Sequence, residues 1–238
     1  MTTEARTAYD AWHEAQQDDG GGNAPWYQML KPLLTGLGGR RVLEIGCGRG
    51  GFAAWLAELP PALRPAEVVA SDFSSVAVRI AEGLGRARGV ANVTYRVGDL
   101  MGLDWPDASF DVVISCETIE HVPSSRVALR ELARVLRPGG RLYLTCPNYL
   151  NLMGLYRVFL RLTGRRWSEG GQPISHFLIW PQTRRWAKQA GLLIEMTAGV
   201  GHYVPFPRRS PIRLHRVDRL RRLSRLFALH ALIVATKS

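Results

Sequence analysis

Five short apolar runs alternate with amphipathic runs along the first two thirds of the chain, and this alternation constrains the fold more than any other feature. The apolar runs cover residues 41–47, 67–73, 93–99, 110–116 and 141–147. Apolar runs of this length that are separated by helical patterns are typical of strands joined by crossover helices. The sequence therefore predicts an α/β chain with a doubly wound, mostly parallel sheet.

Each predicted strand ends in a polar or conformationally special residue. These strand ends are Gly46, Asp72, Asp99, Cys116 with Glu117, and Pro147 with Asn148. In a doubly wound sheet, ligands bind beyond the carboxyl ends of the strands. We therefore expect these residues to surround one site.

Length and composition favour a globular chain. The 238 residues suit a single domain, 1–238, with a sizeable core. No apolar run reaches the length of a membrane-spanning helix, and we expect no secretory signal, because the first residues are polar. The 3 cysteines cannot all pair and form no CxxC motif, so we expect a reducing, cytoplasmic location.

Three segments lie outside the alternating pattern. We predict an N-terminal helical cap over 1–40, an inserted substrate or lid segment over 148–180 and a basic amphipathic insertion over 201–229. The apolar positions of the second segment have helical spacing, which suits a core helix, a lid or a contact with an apolar acceptor tail. Trp12, Trp26 and Tyr27 in the cap are expected either to cover a ligand or to pack helices.

The net charge of +11 is concentrated near the end of the chain, where residues 205–238 contain 9 basic and 1 acidic side chains. Arginines and leucines at helical spacing over 208–225 predict a basic amphipathic helix. Such a helix is compatible with contact to an anionic membrane surface, nucleic acid or an anionic ligand, or with docking on the sheet with a solvated arginine face.

A glycine-rich turn follows the first predicted strand. Gly46, Gly48 and Gly51 form a GxGxxG pattern, which a dinucleotide-binding fold would also show. Glu44 precedes the first glycine by two residues, and an acid in that place suits a cationic ligand. Asp72 can accept hydrogen bonds from ribose hydroxyls and Asp99 from an adenine amino group, although both could simply cap the next helices.

Taken together, the motifs EIGCGRG, ASDFS, VGDL, FDVVISCETIEHV, LRPGG and LYLTCPN resemble those of class I S-adenosylmethionine-dependent methyltransferases over residues 41–147. The resemblance implies a Rossmann-like sheet of seven strands whose last strand is antiparallel. It also implies S-adenosylmethionine as the cofactor, with the methionine part at the glycine turn. The implied cofactor-binding residues are Glu44, Gly46, Cys47, Gly48, Gly50, Asp72, Phe73, Asp99, Leu100 and Cys116.

A second group of chemically active residues follows the fourth predicted strand. Glu117, Glu120 and His121 have the spacing i, i+3, i+4, which places them on one face of a helical turn. With His176 as a fourth ligand, this set could bind Mg²⁺, Mn²⁺, Fe²⁺ or Zn²⁺. Without a metal, His121 or His176, together with Glu120, could act as a general base. The alternative is that these residues cap a helix and pack the site.

The same residues resemble two metal-using groups of methyltransferases. Ubiquinone-pathway O-methyltransferases share the CExxEHVP pattern, and small-RNA 3′-end 2′-O-methyltransferases share ExxEH, PN and a downstream histidine. The RNA enzymes carry an Asp-His-x-Phe-Glu-Trp-like run, whereas this chain has Ser175, His176, Phe177, Leu178, Ile179 and Trp180. The missing acids count against an RNA substrate.

The motifs of the resemblance are specific for the cofactor and not for the acceptor. From the chemistry of the Glu/His group we expect O-methylation of a sugar, polysaccharide or other specialised hydroxylated acceptor. We expect assistance from a divalent metal such as Mg²⁺, because a metal would acidify and orient the hydroxyl of a vicinal diol. The alternatives are a quinone-pathway catechol O-methyltransferase at a membrane surface, an RNA 3′-end 2′-O-methyltransferase, and a non-catalytic cofactor-binding scaffold.

Overall fold

The computed structural model describes residues 2–16, 23–165, 170–206, 209–217 and 227–238. Its strands are β1 Arg41–Ile45, β2 Glu67–Asp72, β3 Val93–Val97, β4 Phe110–Cys116, β5 Leu136–Pro147, β6 Leu192–Val200, β7 Tyr203–Phe206, β8 Arg209–Arg213 and β9 His230–Lys237. Its α-helices are α1 Thr3–Ala15, α2 Pro25–Leu30, α3 Gly51–Ala57, α4 Ser75–Ala87, α5 Ser125–Val135, α6 Leu152–Leu162 and α7 Trp180–Gln189.

Within the described residues, seven strands form one sheet in the order β3-β2-β1-β4-β5-β9-β6. The first five strands of this order pair in parallel, whereas β9 runs antiparallel to both of its neighbours. The predicted seven-stranded sheet with an antiparallel last strand is therefore confirmed. The order reverses direction beside β1, and the carboxyl ends of β1 and β4 consequently open into the same crevice.

Helices cover both faces of the sheet, and each face has its own apolar core. Leu129 and Leu132 of α5 pack with Ala187 of α7 on one face, whereas Phe52 and Leu56 of α3 pack on the other. All five side chains are fully buried. Removing a leucine side chain of this kind from water contributes about 1.5–3 kcal/mol, so these two cores hold the strand ends in place.

Local sequence explains where the central helices begin. The hydroxyls of Ser74 and Ser124 accept hydrogen bonds from the first turns of α4 and α5, which satisfies amide groups that have no partner within the helix. Gly50 has a φ of +83° and packs against α4, where a Cβ would lie 2.6 Å from the Ala81 Cβ. A side chain at position 50 would therefore push α3 and α4 apart.

The strand β5 begins earlier than the sequence indicated. Leu136 already pairs with Phe110, and the register then shifts before Arg141 pairs with Val112. The backbone turns sharply between these two pairs, since a Cβ on Gly140 would lie 2.7 Å from the carbonyl oxygen of Arg137. The Pro-Gly-Gly run therefore marks a bulge inside the strand, in addition to the end of α5.

The predicted basic amphipathic helix is wrong over its first part, because residues 209–213 form a strand that pairs with β7. Pro211 lies in this strand, and a proline lacks the amide hydrogen that a helix interior needs. Position 208 and residues 218–225 of the predicted helix lie outside the described residues. Contact of this segment with an anionic membrane or ligand stays a prediction. Among the helices described, none is long and apolar enough to cross a bilayer.

Candidate active site

A glycine turn connects β1 to α3 at the edge of the crevice. Gly46 has a φ of +78°, and the amides of Gly46 and Cys47 both donate to the carbonyl oxygen of Ser71. A Cβ at position 46 would lie 2.1 Å from the Thr118 Oγ1. The turn therefore requires glycine for two reasons, its left-handed conformation and the close approach of the loop that follows β4.

Asp72 fixes the turn from the end of the neighbouring strand. Its Oδ2 accepts from the amide of Gly48 at 2.8 Å, and its Oδ1 accepts from the amide of Ser74 at 2.9 Å. Each carboxylate oxygen can accept a further hydrogen bond. Asp72 lines a cavity of about 170 Å³, so its remaining acceptor capacity is available to a ligand bound there.

We call this the Asp72 cavity. It is lined by Tyr9, Trp12, His13, Ile45, Gly46, Gly48, Asp72, Phe73, Gly98, Leu100, Glu117, Thr118, His121, Val122 and Gln172. Its walls combine apolar side chains with a few polar groups at the strand ends, which is the usual composition of a small-molecule site.

Five of the predicted cofactor-binding residues do not line this cavity. Cys47 and Cys116 line a neighbouring cavity, whereas Glu44, Gly50 and Asp99 line neither of the two. Both carboxylate oxygens of Glu44 are buried without a hydrogen-bond partner among the described residues, and burial, followed by repulsion from Asp72, raises the pKa of Glu44 well above its ordinary value. Gly50 contacts α4. Asp99 accepts from the amide of Met101 at 2.9 Å and so closes a turn.

A second, larger cavity lies next to the first. This His230 cavity has a volume of about 710 Å³ and is lined by Trp12, Gln16, Asn23, Ala24, Trp26, Tyr27, Gly46, Cys47, Gly48, Arg49, Cys116, Glu117, Glu120, His121, Gly170, Gln172 and His230. Burial raises the pKa of the Cys47 and Cys116 thiols well above the ordinary value, with added repulsion from Asp72 or Glu44. Both thiols are therefore held in the neutral form.

The two cavities share one wall. It consists of Trp12, Gly46, Gly48, Glu117, His121 and Gln172, which line both. A ligand bound on the glycine turn and a second ligand in the His230 cavity would therefore both contact these residues.

Glu117 occupies the first position after β4 with a φ of +49°, a left-handed conformation that is uncommon for a residue other than glycine. Its Oε2 accepts from the Nδ1 of His230 at 2.9 Å, and each of the two side chains is 11% exposed. The ring of Trp26 lies 5.1 Å from the His230 ring. Residues at the end of β4, in β9 and in α2 therefore fix the position of this pair together.

Glu120 and His121 also face the His230 cavity. The Nδ1 of His121 lies 2.6 Å from the carbonyl oxygen of Ile174, and its Nε2 lies 3.5 Å from the Glu120 Oε1. Because a carbonyl oxygen only accepts, the Nδ1 of His121 carries a hydrogen and its Nε2 is directed at the carboxyl of Glu120.

His176 does not join this group. Its amide donates to the carbonyl oxygen of Glu120, but its side chain lines a separate cavity with Arg157, Arg161 and Arg165. Among the residues that the structure describes, no three histidine, cysteine, aspartate or glutamate side chains form a group that could hold a metal ion. The predicted quartet of metal ligands is therefore not assembled.

Sequence reasoning missed Tyr9, His13, Gln172 and His230. Tyr9 and His13 occupy one face of α1, and their spacing of four residues was a signal for a shared helical face. His230 was hidden in an apolar run that predicts a strand. Of the aromatic residues whose role was left open, Trp12 lines both cavities, and Trp26 and Tyr27 line the larger one.

The helix α1 is attached to the crevice by hydrogen bonds from several directions. Asp10 accepts from the Ser74 hydroxyl at 2.5 Å and from the amide of Val76 at 3.2 Å. Arg49 donates to the carbonyl oxygens of His13 and Gln16. Burial alone would raise the pKa of Asp10, but the hydrogen bonds from Ser74 and its neighbours outweigh this and hold the pKa below 3.8.

The parallel sheet with one antiparallel strand, the glycine turn and the acid that pins it define a class of α/β enzymes that bind an adenosyl cofactor at the first strand. Residues 43–144 match the family described as "Methyltransferase domain". A ubiquinone biosynthesis O-methyltransferase of Xanthomonas euvesicatoria is 32% identical over 167 residues, which are 69% of this chain and 67% of that protein. The chain belongs to the class I S-adenosylmethionine-dependent methyltransferases.

Other curated relatives are more similar over a shorter part. A fatty-acid O-methyltransferase of Mycolicibacterium smegmatis is 40% identical over 43% of this chain and 35% of its own length. A 27-O-demethylrifamycin SV methyltransferase of Amycolatopsis mediterranei is 40% identical over 48% of this chain and 41% of its own length. The chain thus spans less than half of the length of these relatives.

Solved structures show the same fold. A chain of the Haloferax volcanii complex between the Trm112 methyltransferase activator and a methyltransferase matches with a TM-score of 0.69 at 21% identity, and the match covers 98% of this chain and 96% of that one. An S-adenosylmethionine-dependent methyltransferase of Mesorhizobium loti matches with a TM-score of 0.64 at 19% identity, over 90% of this chain and 99% of that one.

Proposed function

We propose that this chain transfers a methyl group from S-adenosylmethionine to a hydroxyl group of a sugar, polysaccharide or other specialised small molecule. The observation that carries the proposal is the wall shared by the two cavities. The glycine turn forms part of this wall, and Glu117 and His121 complete it from the loop after β4. A cofactor on the turn and an acceptor in the His230 cavity would therefore be neighbours along the same residues, which an in-line transfer requires.

The residues of the Asp72 cavity fit the cofactor. S-adenosylmethionine supplies an electrophilic methyl group on a sulfonium centre. Gly46 and Gly48 would leave room for its methionine part, and the spare acceptor capacity of Asp72 suits the ribose hydroxyls. Phe73 and Leu100 offer apolar surface to the adenine. Asp99 would contact the cofactor from the edge of the cavity, whereas Glu44 and Gly50 would stabilise the glycine turn without contacting the cofactor.

The acceptor atom is proposed to be oxygen. The relatives named above include a fatty-acid O-methyltransferase, a ubiquinone biosynthesis O-methyltransferase and an enzyme that acts on an O-demethylated rifamycin. The His230 cavity is large and combines aromatic side chains with two carboxyl groups and two imidazoles. Such a lining suits a molecule that presents several hydroxyl groups beside apolar surface.

The proton of the acceptor is proposed to leave through protein side chains. The predicted metal ligands do not fit a metal ion in their observed positions, since His176 faces another cavity and Glu117 is engaged by His230. Glu117, Glu120, His121 and His230 all line the acceptor cavity, so each lies where a hydroxyl group could donate to it.

A catechol of the ubiquinone-precursor type is a second candidate acceptor. The observation in its favour is the extent of the match to ubiquinone biosynthesis O-methyltransferases, which reaches 67% of the length of one of them. Trp26 and Tyr27 in the acceptor cavity could flank an aromatic ring.

The test has two stages. Calorimetry with S-adenosylhomocysteine comes first, and we expect saturable binding. Turnover is then measured by mass spectrometry on catechol, a methyl glycoside and a hydroxy fatty acid, in EDTA and with Mg²⁺, Mn²⁺ or Zn²⁺. Methylation of an oxygen in EDTA supports the proposal. Absence of cofactor binding contradicts it, activity that requires added metal contradicts the proton route, and binding without turnover of any compound favours a scaffold.

A further inference from the structure

The pair formed by Glu117 and His230 has a geometry that the transfer reaction can use. We propose that the Glu117 Oε1 accepts the proton of the acceptor hydroxyl and that His230 positions this carboxylate. The inference rests on the proposed function and assigns its proton acceptor. It gives Glu117 a different role from the metal ligand that the sequence pattern indicates, and it adds His230, which no motif of the sequence marks.

Glu117 lies between the cofactor cavity and the acceptor cavity. Of the two glutamates beside the acceptor cavity, Glu120 lines only that cavity, whereas Glu117 also lines the Asp72 cavity. Glu117 therefore lies at the boundary that the methyl group must cross. Its left-handed backbone directs the side chain there, and such conformations persist only where the surroundings enforce them.

The two oxygens of Glu117 have different environments. The Oε2 accepts from the Nδ1 of His230 at 2.9 Å, and the Oε1 is buried without a hydrogen-bond partner among the described residues. A buried carboxylate oxygen that lacks a donor is costly. The hydroxyl group of an acceptor would supply that donor, so the orphaned oxygen marks where the reacting group binds.

His230 fixes the orientation of the carboxylate. A carboxylate only accepts, so the Nδ1 of His230 carries the hydrogen of this bond. The Trp26 ring lies against the His230 ring at an angle of 49°. The backbone of His230, the first residue of β9, pairs with Pro147 of β5. The imidazole therefore has little freedom to turn away. We regard His230 as a positioning residue.

The step balances in atoms and electrons. The acceptor oxygen forms a bond to the methyl carbon, and the carbon–sulfur bond breaks with its electron pair remaining on sulfur. The hydroxyl proton moves to the Glu117 Oε1. The products are the methyl ether, S-adenosylhomocysteine and a neutral Glu117, which then releases the proton to solvent.

The affinity for sinefungin tests the position of Glu117 without any acceptor. Sinefungin is suited to this test because it carries an amino group where the cofactor carries its methyl group. A protonated amine beside a carboxylate gains a charge-assisted hydrogen bond, and we expect wild-type protein to bind sinefungin about tenfold more tightly than S-adenosylhomocysteine. Glu117→Gln should abolish this preference while the affinity for S-adenosylhomocysteine stays within about threefold. The matched variant Glu120→Gln should retain the preference.

His230 is tested by two substitutions. Asparagine can still donate to the Glu117 Oε2, whereas leucine cannot, so His230→Asn should keep most of the preference for sinefungin and His230→Leu should lose it. On the best substrate of the acceptor panel, Glu117→Gln should lower kcat about 100-fold with KM changed by less than about threefold. His121→Gln should have the smaller effect on kcat.

The outcomes separate the two proposals. If neither S-adenosylhomocysteine nor sinefungin binds, the proposed function fails. If both bind and Glu117→Gln keeps the wild-type preference, the function stands and the assignment of Glu117 is wrong. If His230→Leu behaves as wild type, His230 has no positioning role. If the panel gives no turnover, the sinefungin comparison alone decides the placement of Glu117.

Discussion

The region around the glycine turn and the region around α6 use apolar residues in opposite ways. Leu43 and Phe52 beside the turn are fully buried, whereas Leu155 and Leu162 of α6 are 68% and 81% exposed. The turn region is determined by local conformational requirements and by burial. The α6 region leaves apolar surface open, and its sequence therefore resembles that of a core helix although its packing does not.

The largest effect is expected at Gly46. Gly46→Ala places a Cβ 2.1 Å from the Thr118 Oγ1 in a backbone conformation that alanine disfavours, so the turn must move away from Asp72. We expect the affinity for S-adenosylhomocysteine, measured by calorimetry, to fall at least about 100-fold, which is about 2.7 kcal/mol.

Gly139→Ala is the matched control for this change. Gly139 has a φ of +73°, but a Cβ there meets no atom within 4 Å. We expect a loss of about 1 kcal/mol in the free energy of unfolding and unchanged cofactor affinity. Equal loss of affinity in the two variants would show that backbone strain alone, rather than the contact with Thr118, determines the turn.

The next largest effect is a difference in cofactor affinity between variants of the two aspartates at the strand ends. Asp72 holds the amide of Gly48 and lines the cavity, whereas Asp99 holds the amide of Met101 beside it. We expect Asp72→Ala to weaken S-adenosylhomocysteine binding about 100-fold and Asp99→Ala about tenfold. The reverse order, measured by calorimetry, would place the dominant cofactor contact at β3.

A smaller effect is expected where α1 joins the turn region. Asp10→Asn weakens the hydrogen bonds to Ser74 and Val76, and we expect a loss of about 1 kcal/mol, or roughly 2–4 °C in Tm at pH 7. Because folding lowers the pKa of Asp10, its contribution is complete above pH 3.8 and disappears as the pH falls through the folded value.

Thermal melts of wild type and Asp10→Asn should therefore converge in acid. Asp104→Asn is the control, since the Asp104 side chain is fully exposed, and it should melt as wild type at every pH. A difference between wild type and Asp10→Asn that persists at pH 2–3 would contradict the role of the ionised carboxylate.

The smallest effect is expected in the α6 region. Leu155→Ser replaces a largely exposed side chain, and we expect less than about 0.5 kcal/mol in the free energy of unfolding. Leu132→Ala in the core of α5 should cost about 2–5 kcal/mol in the same urea titration. A large loss for Leu155→Ser would show that α6 is packed as a core helix.

The turn region was predictable because its residues impose their own geometry. Glycines at positive φ, an acid at a strand end and serines that cap helices each act within a few residues of chain. The alternating apolar runs predict the parallel sheet and the position of Asp72 at a strand end, and the resemblance to class I methyltransferases implies the antiparallel last strand. The structure confirms this fold. The start of β5 was not predictable, because its register shift depends on pairing with Phe110.

The residues around the His230 cavity were less predictable from the sequence, because their contacts join distant parts of the chain. Glu117 and His230 are separated by 113 positions, and the strand pattern around His230 conceals its polar role. Glu117, Glu120 and His121 of the ExxEH motif line one cavity, although Glu117 is left-handed and the three residues do not form a helical turn. The motif could not show that His176 lines a separate cavity with Arg157 and Arg161, since that depends on contacts between distant parts of the inserted segment.

The attachment of α1 has a thermodynamic consequence. The hydroxyl of Tyr9, with its one hydrogen, lies 3.3 Å from the carbonyl oxygen of His121 and 3.4 Å from that of Ile174. Tyr9, Trp12 and His13 all line the Asp72 cavity. A ligand in that cavity gains contacts that exist only while α1 is docked. By linkage, occupancy must then suppress local opening of α1 in proportion to ligand concentration. Limited proteolysis near the start of the chain would thus report occupancy of the Asp72 cavity.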